Sequence, residues 1–137
     1  MTSRRLWVLV SLLLVIACRG PKSTPEDTVD SFFSAYEAHD ADALVAMTWP
    51  ETLKRSSVSK LHDFYWENIY GIRSMEVTKF VTRTGKDTAQ AQSSVKYVWR
   101  VRGENPQDHE EEISLLLHEV DGKWYVEPPG TSKVQPW

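Results

Sequence analysis

The sequence predicts an α+β fold, with helices first and a curved antiparallel sheet after them, and three observations carry that reading. Between Pro25 and Ile72 the large apolar residues recur at helical spacing. Beyond Arg73 the period drops to two. "TGKD", "GENPQDH" and "DG" supply turn residues that divide the second half into four strands. Helices and sheet each have one apolar face to bury, and burying them against each other gives a two-layer domain.

The chain has 137 residues and a formal net charge of −3. Its first segment stands apart from that domain. Arg4 and Arg5 precede an apolar run, Leu6 to Ala17, interrupted only by Ser11, and the sole cysteine, Cys18, ends it. A basic start, an apolar stretch and a small residue before the cysteine have the form of a signal peptide. The run falls short of the about 20 apolar residues that a membrane-spanning helix needs. A buried core helix and an ordinary secretory signal with an incidental cysteine are the plain alternatives.

The stretch "VIAC" resembles the lipobox of bacterial lipoproteins. That resemblance implies cleavage of residues 1–17, with Cys18 becoming the first residue, diacylated at sulfur. The chemistry suits the residue, since a thiolate is a soft nucleophile and a lone cysteine has no partner for an intramolecular disulfide. Two acyl chains hold a protein at a membrane durably where one does so only marginally. The expected location is the bacterial cell envelope, with the domain outside the cytoplasm and anchored to the inner or outer membrane. "SRRLWV" also resembles a twin-arginine signal, which would export the domain already folded.

Without residues 1–17 the chain keeps 120 residues, with 14 basic against 19 acidic side chains. That is enough for one domain with a modest core. Its negative balance disfavours nucleic acid or anionic lipid as the main partner, since either requires a basic face. Residues 18–24 read as a tether, 25–130 as the domain and 131–137 as a tail.

Thr24 can cap a helix whose first residue is Pro25, and Glu26 and Asp27 suit the positive end of the helix dipole. Val29, Phe32, Phe33 and Tyr36 form one apolar stripe, so this helix should run from Pro25 to about Ala38. "HDADAL" gives a break and a new cap at Asp40, starting a short helix with Leu44 and Met47. After Trp49 and Pro50, the residues Leu61, Phe64, Tyr65, Asn68, Ile69 and Ile72 again follow helical spacing, with Gly71 near the end. The strands are expected at 74–84, 88–102, 110–120 and 123–127.

Centring the longest turn on Pro106 pairs Trp99 with Ile113, Tyr97 with Leu115 and Val95 with Leu117, and sets Arg100 against Glu112 and Arg102 against Glu110. A turn around Lys86 sets Met75, Val77 and Val81 beside Tyr97, Val95 and Ala91. The order of elements, with "STPEDTVDSFFSAYEAHDADALVAM" and "HEVDGKWYV", resembles small lipoproteins carrying a domain of the nuclear-transport-factor-2-like (NTF2-like), or cystatin-like, type. The resemblance implies a cone in which N-terminal helices pack on a curved four-stranded antiparallel sheet and enclose a pocket. It also implies that some members are isomerases or dehydratases and that many are binding or accessory domains.

No Gly-x-Ser-x-Gly, phosphate loop or HExxH motif is present, and the four histidines lack zinc-like spacing, so neither metal nor cofactor is expected. His39 reads as part of the helix break and His109 as part of a polar turn, while His62 beside Asp63 is an acid–base candidate. The expected register adds a polar row on the concave face, Lys79, Ser93 and Glu119, where burial could tune a general acid or base. Phe33, Tyr36, Tyr97, Trp99 and Trp124 are candidate pocket walls for a small apolar ligand, or simply core. "FYWENIY" is richer in aromatics than one buried stripe requires, so Tyr65 or Trp66 is a candidate contact for an envelope protein partner. Two functions follow: a tethered non-catalytic binding or accessory module, preferred, or a small isomerase or hydro-lyase using Lys79, Glu119 or His62.

Overall fold

The computed structural model describes residues 20–128. Cys18 and the signal segment, with the expected tail at 131–137, lie outside the described residues. The first helix, α1, spans Pro25–Glu37, and the Thr24 hydroxyl accepts a hydrogen bond from the Asp27 N–H. It ends in a Schellman motif. The Asp40 N–H donates to the Ala35 carbonyl and the His39 N–H to the Tyr36 carbonyl, while His39 takes a left-handed φ of 56°. Glycine usually fills that position; here the His39 ring reaches the Ile72 carbonyl and ties the turn to the first strand. Asp40 then caps α2, Ala41–Ala46, by accepting from the Ala43 N–H.

A short helix that the spacing does not announce, α3, occupies Pro50–Arg55. Proline suits its first turn, and the Trp49 ring before it stacks on His118 at 3.6 Å. The fourth helix, α4, spans Val58–Ile69 with Ser57 as its cap and buries Leu61, Tyr65 and Ile69. Tyr65 is fully buried, so it belongs to the core and offers no partner face. Its hydroxyl bonds that of Thr48, which itself donates to the Leu44 carbonyl, so the phenol is the donor. Burial pushes the Tyr65 phenol above its ordinary range.

The strands β1 (Ile72–Thr84), β2 (Thr88–Trp99), β3 (Gln107–Val120) and β4 (Lys123–Glu127) form one antiparallel sheet in sequence order. The helices cover one face of it. Phe32, Phe33 and Tyr36 of α1 and Tyr65 and Ile69 of α4 share a core with Ala91, Val95, Leu115 and Leu117. Trp124 and Val126 of β4 complete that core. The free edge of β4 is covered from both sides of the chain: the Trp124 N–H donates to the Lys22 carbonyl, and the Trp49 N–H to the Val126 carbonyl. The Thr28 hydroxyl accepts from the Lys22 N–H and donates to the Trp124 carbonyl. Lys22, inside the stretch expected to be tether, is thus held against the sheet.

Two registers differ from expectation. The β2–β3 turn centres on Gly103 rather than Pro106, with φ of 87° at Gly103, so Trp99 faces Gln107, Tyr97 faces His109 and Val95 faces Glu111. Leu115 and Leu117 lie opposite Ala91 and Ala89, Glu110 opposite Lys96, and Glu112 opposite Ser94. Between β1 and β2, Met75 and Val77 do pair with Tyr97 and Val95, but the register then shifts at Thr78. Beyond that bulge Lys79 pairs with Ser94 and Val81 with Gln92, one position off the expected pairs. Because strand side chains alternate, that step reverses which face each later residue occupies, and Val81 is exposed.

Candidate functional site

The helices stop short of the β2–β3 end of the sheet, and a cleft of about 370 Å³ opens there. Tyr36 comes from the last turn of α1, Glu67 and Asn68 from the last turn of α4. Met75 enters from β1, Tyr97 and Trp99 from β2, and His109 and Glu111 from β3. Gly71 lets the α4–β1 corner close on this wall. Its carbonyl accepts from the Arg100 N–H, and a Cβ there would overlap the Trp99 indole.

Tyr97 is the centre of the polar chemistry. Its hydroxyl donates to Glu111 Oε1 at 3.0 Å, and its ring stacks on His109 with centroids 5.0 Å apart. Burial first, and then the neighbouring Glu111 carboxylate, push the phenol up to about 12. It is therefore a protonated donor at neutral pH, already committed to Glu111. The Asn68 amide N–H donates to the Phe64 carbonyl at 2.7 Å. Tyr36 lies deepest, its phenol raised well above the ordinary range by burial and by nearby Tyr65.

Of the residues singled out from sequence, Tyr36, Tyr97 and Trp99 meet in this cleft. Phe33 and Trp124 are core residues, 5% and 4% exposed, and line no part of it. The polar row does not assemble. Lys79 pairs with Ser94 in the ladder, Ser93 pairs with Phe80 and Ile113 and is buried with its hydroxyl unpartnered, and Glu119 is exposed opposite Trp124. His62 lies on the outside of α4, 3.6 Å from Asp42 and 4.0 Å from Asp63. Trp66 is 46% exposed and its ring lies 6.4 Å from that of Tyr70, which in turn meets Trp99 edge-on at 5.1 Å. The exposed aromatics thus line no part of the cleft and meet its wall only at Trp99.

His109 and Glu111 are the residues that sequence reasoning passed over, because a turn centred on Pro106 places His109 in the loop and Glu111 away from Tyr97. Gly103 was the available signal, since a left-handed residue in a hairpin is most readily glycine. Among the described residues no group of three or more His, Cys, Asp and Glu side chains is placed to hold a metal ion, and no helix is long and apolar enough to cross a membrane.

No family model matches the sequence, and no curated protein matches it. Solved structures do. A SEC-C motif containing protein from Rhodopseudomonas palustris is 20% identical with a TM-score of 0.55, over 77% of each chain. A proposed calcium/calmodulin dependent protein kinase II association domain from Xanthomonas campestris is 12% identical with a TM-score of 0.56, over 78% of this chain and 89% of its own. A proposed dehydratase from the NTF2-like family of Streptomyces avermitilis is 11% identical with a TM-score of 0.50, over 69% of this chain and 84% of its own. At such identities a shared architecture speaks for the fold alone, and helices closing one face of a curved four-stranded meander give this chain the NTF2-like fold.

Proposed function

We propose that the chain is a membrane-anchored envelope lipoprotein whose NTF2-like domain is a non-catalytic binding or accessory module for a small ligand with an apolar body, or for a protein partner. The observation that carries the binding reading is the open cleft, walled by Tyr36, Tyr97 and Trp99 with a few polar groups among them. Its volume lies at the lower end of the roughly 300–1,000 Å³ usual for small-molecule sites. Trp66 and Tyr70, exposed on the outer side of Trp99, suit a protein contact. The Tyr97 phenol, protonated at neutral pH and bonded to Glu111, orients a ligand better than it exchanges protons with one. The catalytic alternative through Lys79, Glu119 or His62 lacks a common location for those residues.

Anchoring rests on "VIAC" and the basic, apolar segment before it. Native mass spectrometry of the protein purified from its own envelope in mild detergent tests both halves. The expected mass is that of a chain beginning at acylated Cys18, and a small molecule or protein should accompany it and be lost in a Trp99→Ala variant. Retention of residues 1–17 would reject the anchor. A bound molecule indifferent to Trp99→Ala and Tyr97→Phe would reject the cleft.

A further inference from the structure

We infer that the cleft selects an organic cation: a protonated amine carried on an apolar body, with Glu111 as counter-ion and Tyr97 and Trp99 as walls. The inference rests on the binding reading above and names the class of ligand. Its ground is the set of polar partners that the lining leaves open to a ligand. The Tyr97 O–H is spent on Glu111 and an Asn68 amide N–H on the Phe64 carbonyl. These groups still offer a ligand three acceptors, the second oxygen of Glu111, the Tyr97 phenol oxygen and the Asn68 carbonyl, beside one Asn68 N–H, while the Gln107 amide and the His109 ring can each donate or accept. A ligand that donates finds the carboxylates of Glu67 and Glu111; one that only accepts finds no lysine or arginine.

Charge points the same way. Glu67 and Glu111 both line the cleft, and no lysine or arginine is among the described residues that do. Carboxylates beside low-dielectric walls attract a cation more strongly than they would in bulk water. A ligand carboxylate or phosphate would meet the repulsion of Glu67 and Glu111 with no lysine or arginine in the lining to offset it. The aromatic walls add the attraction of a ring face for a positive charge. Ile72, Met75 and Ile113 supply apolar surface for the rest of the molecule.

The test uses the full-length chain in zwitterionic detergent and three probes of nearly constant shape: phenethylamine, phenethyl alcohol and phenylacetate. The chain has three methionines, Met1 in the signal segment, Met47 in the core and Met75 in the cleft. With 13C-labelled methionine methyls, Met75 reports the cleft and Met47 reports the fold. Phenethylamine should shift Met75 with a Kd at least tenfold lower than that of the alcohol, and phenylacetate should leave it unmoved. Glu111→Gln and, separately, Glu67→Gln should each erase at least fivefold of that preference while Met47 and binding of the alcohol stay as they were. Amine and alcohol binding equally, or neither variant mattering, would overturn the charge inference and leave the binding cleft standing. Silence at Met75 with all three probes would overturn both.

Discussion

Tyr97 joins sequence, register and chemistry in one side chain. It alternates with exposed Lys96 on β2, so it turns toward the helices, and the helices end before they cover it. Half-buried, it keeps its proton longer than a phenol in water does. The consequence for stability has a definite sign. A group whose folded pKa exceeds its unfolded value favours the folded state fully below the unfolded value, about 10 for tyrosine, and gives that contribution up as the pH climbs through the folded one. With Tyr97 at about 12 and Tyr36 and Tyr65 raised in the same direction, unfolding should become easier above pH about 10 and be insensitive to these groups at neutral pH. Tyr97→Phe should flatten part of that alkaline fall. Glu111→Gln should lower the pH at which the phenol ionises, read by phenolate absorbance, but only part of the way, since burial is the larger cause and remains. A titration unchanged by Glu111→Gln would mean that the 3.0 Å bond is not held in solution.

At the scale of elements, much was legible because local chemistry decided it. Thr24 and Pro25 start α1, Asp40 starts α2, and both act as their residue types suggest. Asp40 serves two helices at once: its N–H closes the α1 terminus and its carboxylate opens α2. Asp40→Ala should therefore cost about 1 kcal/mol, within the usual span for losing an N-cap, and lower the urea midpoint without changing the slope. An unaltered midpoint would show that the Schellman motif holds the corner unaided. Register was less legible, for a physical reason. A period of two cannot separate alignments that differ by an even number of residues, so Tyr97 opposite Leu115 and Tyr97 opposite His109 both set apolar faces together. Only turn geometry separates them, through left-handed Gly103 and the Glu104 N–H donating to the Val101 carbonyl. The bulge at Thr78 is subtler still, because no glycine or proline marks it. The candidate site inherits both gaps: its aromatic walls could be read from composition, whereas its His109 and Glu111 required the register.

On the scale of the whole molecule, α1 links the start of the domain at Lys22 to the cleft. Lys22 is stitched to Trp124 and Thr28 at the N-terminal end of that helix, while Tyr36 in its last turn lines the cleft. At a rise of about 1.5 Å per residue, the 13 residues of α1 place these ends roughly 20 Å apart. Between Cys18 and Lys22 lie only three residues, and four fully extended steps span at most about 14 Å. If Cys18 carries lipid, so short a link holds the β3–β4 turn close to the bilayer, and the cleft opens at the other end, toward water. A ligand would then arrive from the aqueous side, which suits a charged amine better than a bilayer lipid. In nanodiscs containing a paramagnetic headgroup lipid, amide signals of Asp121 and Gly122 at the β3–β4 turn should broaden strongly, and those of Gln107 and His109 should not. Inserting about ten Gly/Ser residues after Arg19 should relieve the broadening at the turn, because a flexible link of that length no longer confines the domain. Equal broadening at both ends would mean that the domain tumbles freely on its link. Broadening confined to Gln107 and His109 would turn the cleft toward the membrane and make a lipid the better ligand.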